Sequence, residues 1–228
     1  MRYLISILFF LLTSNNLLSQ NTISLGIKSS YNSSNINFHN NFFPQNIKTS
    51  SINNINFTLV TEILNQKKTG IRNEISKLKK AWAYDEINNI NNTYYSSEFE
   101  FINVPFLMST YFGKKNLKIN FALGPFAEFM ISENSDEIKS NFPGEPFYFD
   151  KLRDNKFSYG LMAAGGLSYS KNGNKLQVTV SYQYNFDNIL DIEVKNQNIP
   201  DISNFNTLSI SFLFEKLIFF FFIFEISR

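Results

Sequence analysis

Residues 98–130 read EFEFINVPFLMSTYFGKKNLKINFALGPFAEFM, from Glu98 to Met130. Two apolar runs, each holding a proline (Pro105 and Pro125), meet at Gly113-Lys114-Lys115-Asn116. Neither run approaches the roughly twenty apolar residues of a membrane-spanning helix. The second run alternates instead. Leu117, Ile119, Phe121, Leu123 and Phe129 fall on one face, and Lys118, Asn120, Ala122, Gly124 and Glu128 on the other. Period two is the mark of a strand with unlike faces. The first run puts Ile102, Val104, Phe106, Met108 and Phe112 on its apolar face, and Pro105, which cannot donate a ladder bond, predicts a local bulge.

The same period recurs on both sides of this hairpin. Val178, Val180, Tyr182 and Tyr184 oppose Gln177, Thr179, Ser181 and Gln183. Phe157, Tyr159, Leu161, Ala163 and Leu167 oppose Ser158, Gly160, Ala164, Gly166 and Ser168. Leu208, Ile210, Phe212 and Phe214 oppose Ser209 and Ser211. Earlier segments carry Ile23, Leu25, Ile27 and Tyr31, then Ile55, Phe57, Leu59 and Ile63. Last and weakest come Ile71 and Ile75 against Arg72, Glu74 and Ser76. Eight strands of about ten residues result, the length that crosses a bilayer at a tilt.

The connections alternate in length. Asn65–Thr69, Gly113–Asn116 and Ser170–Asn174 are short, and the last contains Asn172-Gly173, a hairpin signal. The intervening stretches 33–52, 81–97, 131–156 and 187–204 are long and polar. That is the layout of an eight-stranded antiparallel up-and-down transmembrane β-barrel, with tight periplasmic turns and longer outer loops. A soluble lipocalin-like barrel would share the alternation with its faces exchanged. Small neutral groups on the polar face, aromatics at strand ends and the strict loop alternation favour the membrane.

The ends fit export. Arg2, an apolar core from Leu4 to Leu12 and a polar exit at Ser19-Gln20 predict a signal peptide over residues 1–19, cut after Ser19. The barrel domain is then 20–214. Residues 215–228 form an apolar tail that breaks the alternation, either a membrane-surface or partner-binding anchor or an extra segment. On the second reading a chain ending at Phe214 folds as well as the full one.

Composition narrows the chemistry. A charged fraction of 18% with 26 phenylalanines argues against disorder, and a net charge of +2 without a basic stripe argues against nucleic acid. With no cysteine and one histidine, thiol chemistry and Cys/His zinc sites are excluded. His39, in a polar stretch read as loop, is the sole candidate base for a Ser–His arrangement, and nothing around it suggests a triad. Gly160–Gly166 lacks the spacing of a nucleotide loop, and Ser132–Glu137 is acidic without EF-hand spacing, so it reads as a solvated loop. No catalytic, cofactor or metal residue is assigned. The expectation is a non-enzymatic monomer in outer-membrane lipid, inserted by the barrel-assembly machinery and open to envelope protein partners.

Several segments resemble the PorT-like outer-membrane barrels of Bacteroidetes-type bacteria. They are FINVPFLMSTYFGKK (101–115), INFALGPFAEF (119–129), KFSYGLMAAGGLSY (156–169), VSYQYNFDNI (180–189) and NTLSISFLF (206–214). The resemblance implies an accessory part in a protein-secretion or gliding machine, as an alternative to a structural or interaction role in the envelope. It aligns Glu74 with the acid of the family's third strand. Ser158, Ser168 and Ser181 stand where such proteins often carry interior charge, so a charged interior network of the family kind is not expected at those positions. A small-molecule transporter fits poorly, since eight strands leave room only for side chains.

Overall fold

The computed structural model describes residues 22–39, 49–65, 68–85, 94–113, 115–137, 154–191 and 202–218. The expected signal peptide lies outside them. Eight strands follow in chain order: β1 (Thr22–His39), β2 (Thr49–Leu64), β3 (Thr69–Asp85), β4 (Tyr94–Phe112), β5 (Leu117–Glu137), β6 (Phe157–Lys171), β7 (Asn174–Asn185) and β8 (Ile202–Ile218). Each pairs antiparallel with its neighbours, and β8 pairs with β1 to close the barrel. Closure leaves no unpaired edge, the condition for placing strands in lipid.

The strands tilt. Starting at Ile23, register partners run through Ile63, Ile71, Met108, Leu123, Ala163, Tyr182 and Leu208, and return to β1 at Ser33, ten residues farther along. That stagger is what closes eight tilted strands into a cylinder. The path also traces the apolar belt of the outer wall, from Ile23 round to Leu208.

Facing follows the alternation. Phe121, Val180 and Ile210 are about half exposed on the outer wall, while Thr179, Gln183 and Ser211 are buried inside. An apolar outside around a polar inside is the reverse of a soluble barrel, and it rests on Phe57, Met108 and their neighbours meeting lipid rather than water. Tyr159, Tyr184 and Phe186 join Phe129 and Phe157 in an aromatic girdle near the loop end. Two glycines of β6 are dictated by close approach: a Cβ on Gly160 or Gly166 would lie 2.0 Å from the carbonyl of Tyr184 or Val178. Asn172 (φ 52°) and Gly173 (φ 76°) form the expected tight hairpin.

Four expectations change. The strands are longer than the membrane requires, up to 21 residues in β5. They absorb much of the stretches read as loops, including His39 at the end of β1 and Ser132–Glu137 in β5. Second, β8 does not stop at Phe214: Glu215 to Ile218 continue its pairing with β1. The boundary of the barrel domain moves accordingly, and residues 219–228 lie outside the described residues. Third, Pro105 carries no bulge. Its pairing with Phe126 of β5 is kept, and pairing to β3 lapses opposite Val104 and Pro105 without a change of register. A missing donor removes a bond but adds no residue. The bulge of this hairpin sits instead at Ile131, the extra residue between Met130, opposite Phe101, and Ser132, opposite Glu100. The fourth change concerns the lumen.

Candidate functional site: the filled lumen

The lumen is charged after all, from residues other than the serines of β6 and β7. Near the turn end, Arg72 of β3 donates from Nε to Glu62 of β2 (3.2 Å) and from Nη2 to the Tyr111 hydroxyl of β4 (2.6 Å) and Gln177 of β7 (2.9 Å). Lys175 of β7 pairs with Glu62 and, at 2.5 Å, with Glu215 of β8. Gln177 also donates to Glu215 (2.9 Å), and Ser24 of β1 donates to it at 3.4 Å. Two acids and two bases from four strands thus neutralise one another across the lumen, with Tyr111 of β4 bonded at their centre. One level higher, Lys28 of β1 pairs with Glu74 of β3. Glu74 is therefore a buried ion-pair member.

Above this lies an apolar layer of Leu107, Ala122, Phe126 and Met162. Lys80 and Glu128 pair over it at 2.7 Å, both fully buried. Asn185 ties the two, accepting from Lys80 at 2.9 Å and donating to Glu128 at 3.0 Å. The ammonium also lies 5.5–5.7 Å from the ring centroids of Phe101, Phe126 and Phe205.

Ile36, Phe99, Phe101, Phe205, Ile189 and Leu190 cap the pair as an apolar plug. The stretch 187–204 was read as a long outer loop, yet Leu190 within it is 2% exposed. Backbone bonds hold the segment in place: Ile189 donates to Ser203 (2.9 Å) and Asn155 donates to Ile189 (3.0 Å). The Leu190 amide donates to the Ser203 hydroxyl at 3.0 Å. A cavity of about 10 Å³ remains beneath the plug, room for one water at most.

Outside the apolar band, Lys77 bridges to Glu100 (2.7 Å) and Lys79 to Glu98 (2.5 Å) on the outer wall. The hydrogen bond from Lys77 holds the Glu100 carboxyl below its ordinary range. Here the ladder between β2 and β3 opens between Ser51 and Thr58. Side chains replace the missing rungs: Asn54 donates to the Lys79 carbonyl (2.6 Å), and the Ser34 hydroxyl accepts from the Ala81 amide (3.1 Å). Among the described residues no group of His, Asp and Glu could hold a metal.

The outside-in distribution of polarity now meets an independent comparison. Residues 15–191 match the family described as outer membrane protein beta-barrel domain. The chain belongs to that family. No curated protein sequence matches it. Its fold is that of OprG from Pseudomonas aeruginosa, 13% identical over 87% of this chain and 96% of that one, with a TM-score of 0.51. Neisserial surface protein A is 10% identical over 85% and 96% of the two chains, with a TM-score of 0.48. Ail of Yersinia pestis, in complex with the heparin analogue sucrose octasulfate, is 12% identical over 85% and 98%, with a TM-score of 0.40. Like other members of the outer-membrane barrel family, the protein resides in the bacterial outer membrane.

The sequence placed Arg72 and Glu74 on the polar face of β3 but gave no partner for either. Only barrel closure brings Glu62 to Lys175, 113 residues away.

Proposed function

We propose that this chain is a non-enzymatic, monomeric outer-membrane barrel that acts by interaction. Its loop end faces the cell exterior, its turn end faces the periplasm, and the barrel-assembly machinery inserts it. The observation that carries the reading is the Lys80–Glu128 pair, sealed between an apolar layer and an apolar plug. A passage for ions or solutes would have to break that pair and expel the Leu190 side chain. What is left for function is the surface, above all the strand extensions beyond the band. The resemblance to PorT-like barrels supports a second reading, an accessory role in secretion or gliding. A filled lumen suits it, because an accessory part needs no conduit of its own.

Photo-crosslinking in living cells tests the interaction role. A photoreactive residue at Asn155 or Asn188, near the loop end, is expected to give a discrete protein adduct. One at Val180, in the apolar band, is expected to give none. Adducts from Val180 and none from the loop end would place the contact surface within the membrane and overturn this reading.

A further inference from the structure

Among the described residues, the cations without a carboxylate partner gather at the turn end, with Lys156 at the loop end as the exception. Away from the turn end, Lys28, Lys77, Lys79 and Lys80 each meet a carboxylate. Around the three short turns, Lys68, Lys115, Lys118, Lys171 and Lys216 form no ion pair among the described residues. The carboxylates at that end, Glu62 and Glu215, are committed to Arg72 and Lys175. Among the described residues there are no others nearby, with no Asp or Glu between Glu100 and Glu128 or between Asp154 and Asp187, and Glu225 lies outside the described residues.

The placement of these lysines is costly. Lys68 (φ 64°) and Lys115 (φ 62°) occupy left-handed turn positions that glycine or asparagine adopts with less strain. Lys118 is half-buried on the inner face of β5, within electrostatic reach of Lys68 and Lys175. The rim is held in shape by backbone bonds. The Tyr111 amide donates to the Lys68 carbonyl (2.9 Å), that of Ser170 to Asn116 (2.9 Å) and that of Leu217 to Gly173 (2.8 Å). The Lys68 ammonium donates to the Gly113 carbonyl at 2.9 Å.

We propose that this turn rim is a docking surface for an acidic, glutamate- or aspartate-rich segment of a periplasmic protein, whose carboxylates enter the mouth toward Lys118. The assignment rests on the orientation given under Proposed function. Lipid headgroups reach Lys171 and Lys216 on the outer wall, but not Lys118 inside the mouth. That inward lysine selects a peptide segment over the membrane surface. Like charges clustered without counter-charge raise the local concentration of an anionic partner and speed its encounter.

The test uses the full-length protein in zwitterionic micelles and a labelled ten-residue glutamate peptide, with a glutamine peptide as control. Fluorescence anisotropy is expected to show saturable binding of the glutamate peptide alone, weakened by salt. Lys118→Gln, and Lys68→Gln with Lys115→Gln, should each weaken it at least fivefold. Lys156→Gln, an exposed lysine at the loop end, should change nothing. Equal loss with Lys156→Gln, or no binding, would overturn the proposal. So would displacement of the peptide by phosphatidylglycerol added to the micelles, which would assign the rim to lipid. Lys118-dependent sedimentation with purified peptidoglycan, without peptide binding, would assign it to the cell wall. The chain has no cysteine, so Lys115→Cys reports orientation separately. Labelling of intact cells by an impermeant maleimide would overturn the orientation while leaving the chemistry of the rim as measured.

Discussion

Lys80 and Glu128 meet at 2.7 Å with no exposed surface on either side chain. The pair is buried so deeply that its two halves are not equivalent to two removable contacts. Lys80→Met leaves Glu128 buried without its counter-charge, with Asn185 as its remaining donor, and should cost about 3–5 kcal/mol. The double variant Lys80→Met/Glu128→Leu removes both charges and should recover most of that loss. Urea unfolding of the purified barrel in detergent measures both. A double variant no more stable than the single one would mean that the pair is not a self-contained unit.

Phe121 stands about half exposed on the outer wall, in the apolar belt. Phe121→Arg should destabilise the barrel by about 2–4 kcal/mol if placed near the bilayer midplane. Gln183→Arg, on the inner face, is limited by space in a filled lumen instead. Heat-modifiable gel mobility after refolding into lipid reads the first effect, and wild-type assembly of Phe121→Arg would contradict the facing.

Residues 215–218 belong to the wall. Glu215 anchors Lys175, and Lys216 to Ile218 pair with β1. A chain ending at Ile218 should therefore assemble as the full chain does, and one ending at Phe214 should assemble poorly. Assembly yield in cells, scored by resistance to added protease, separates the two.

Asn120 is 1% exposed, and neither polar atom of its side chain has a protein hydrogen-bond partner. A leucine there removes unsatisfied groups at nearly equal volume and should stabilise by about 1–3 kcal/mol. The urea midpoint is expected to rise; a fall would show that the amide is satisfied in the working protein.

Where lipid imposed a rule, the residues displayed it. Phe121, Val180 and Ile210 are outward because period two has only two phases and the membrane accepts one of them. Beyond the band that rule lapses. From Ser33 to His39 the outer face meets water and is polar, while Ile36 and Phe38 turn inward to the plug, so the segment lacks an apolar outer face and resembles a loop. The lumen was hidden for another reason. Glu62 and Arg72 lie far along the chain from Lys175 and Glu215, and each alone is indistinguishable from a solvated charge. Ile189 and Leu190 were obscured by their setting among Asp187, Asn188 and Asp191. Two apolar residues in a polar connection do not announce that the connection folds inward.

Electrical recording across a planar bilayer tests most directly whether the Lys80–Glu128 pair and the plug above it close the lumen. The purified full-length barrel should insert without producing steady conductance. Lys80→Ala, or deletion of residues 186–191, should raise only brief, irregular currents. Stable, reproducible single-channel steps from the unaltered protein would contradict the closed lumen and make transport the function to explain.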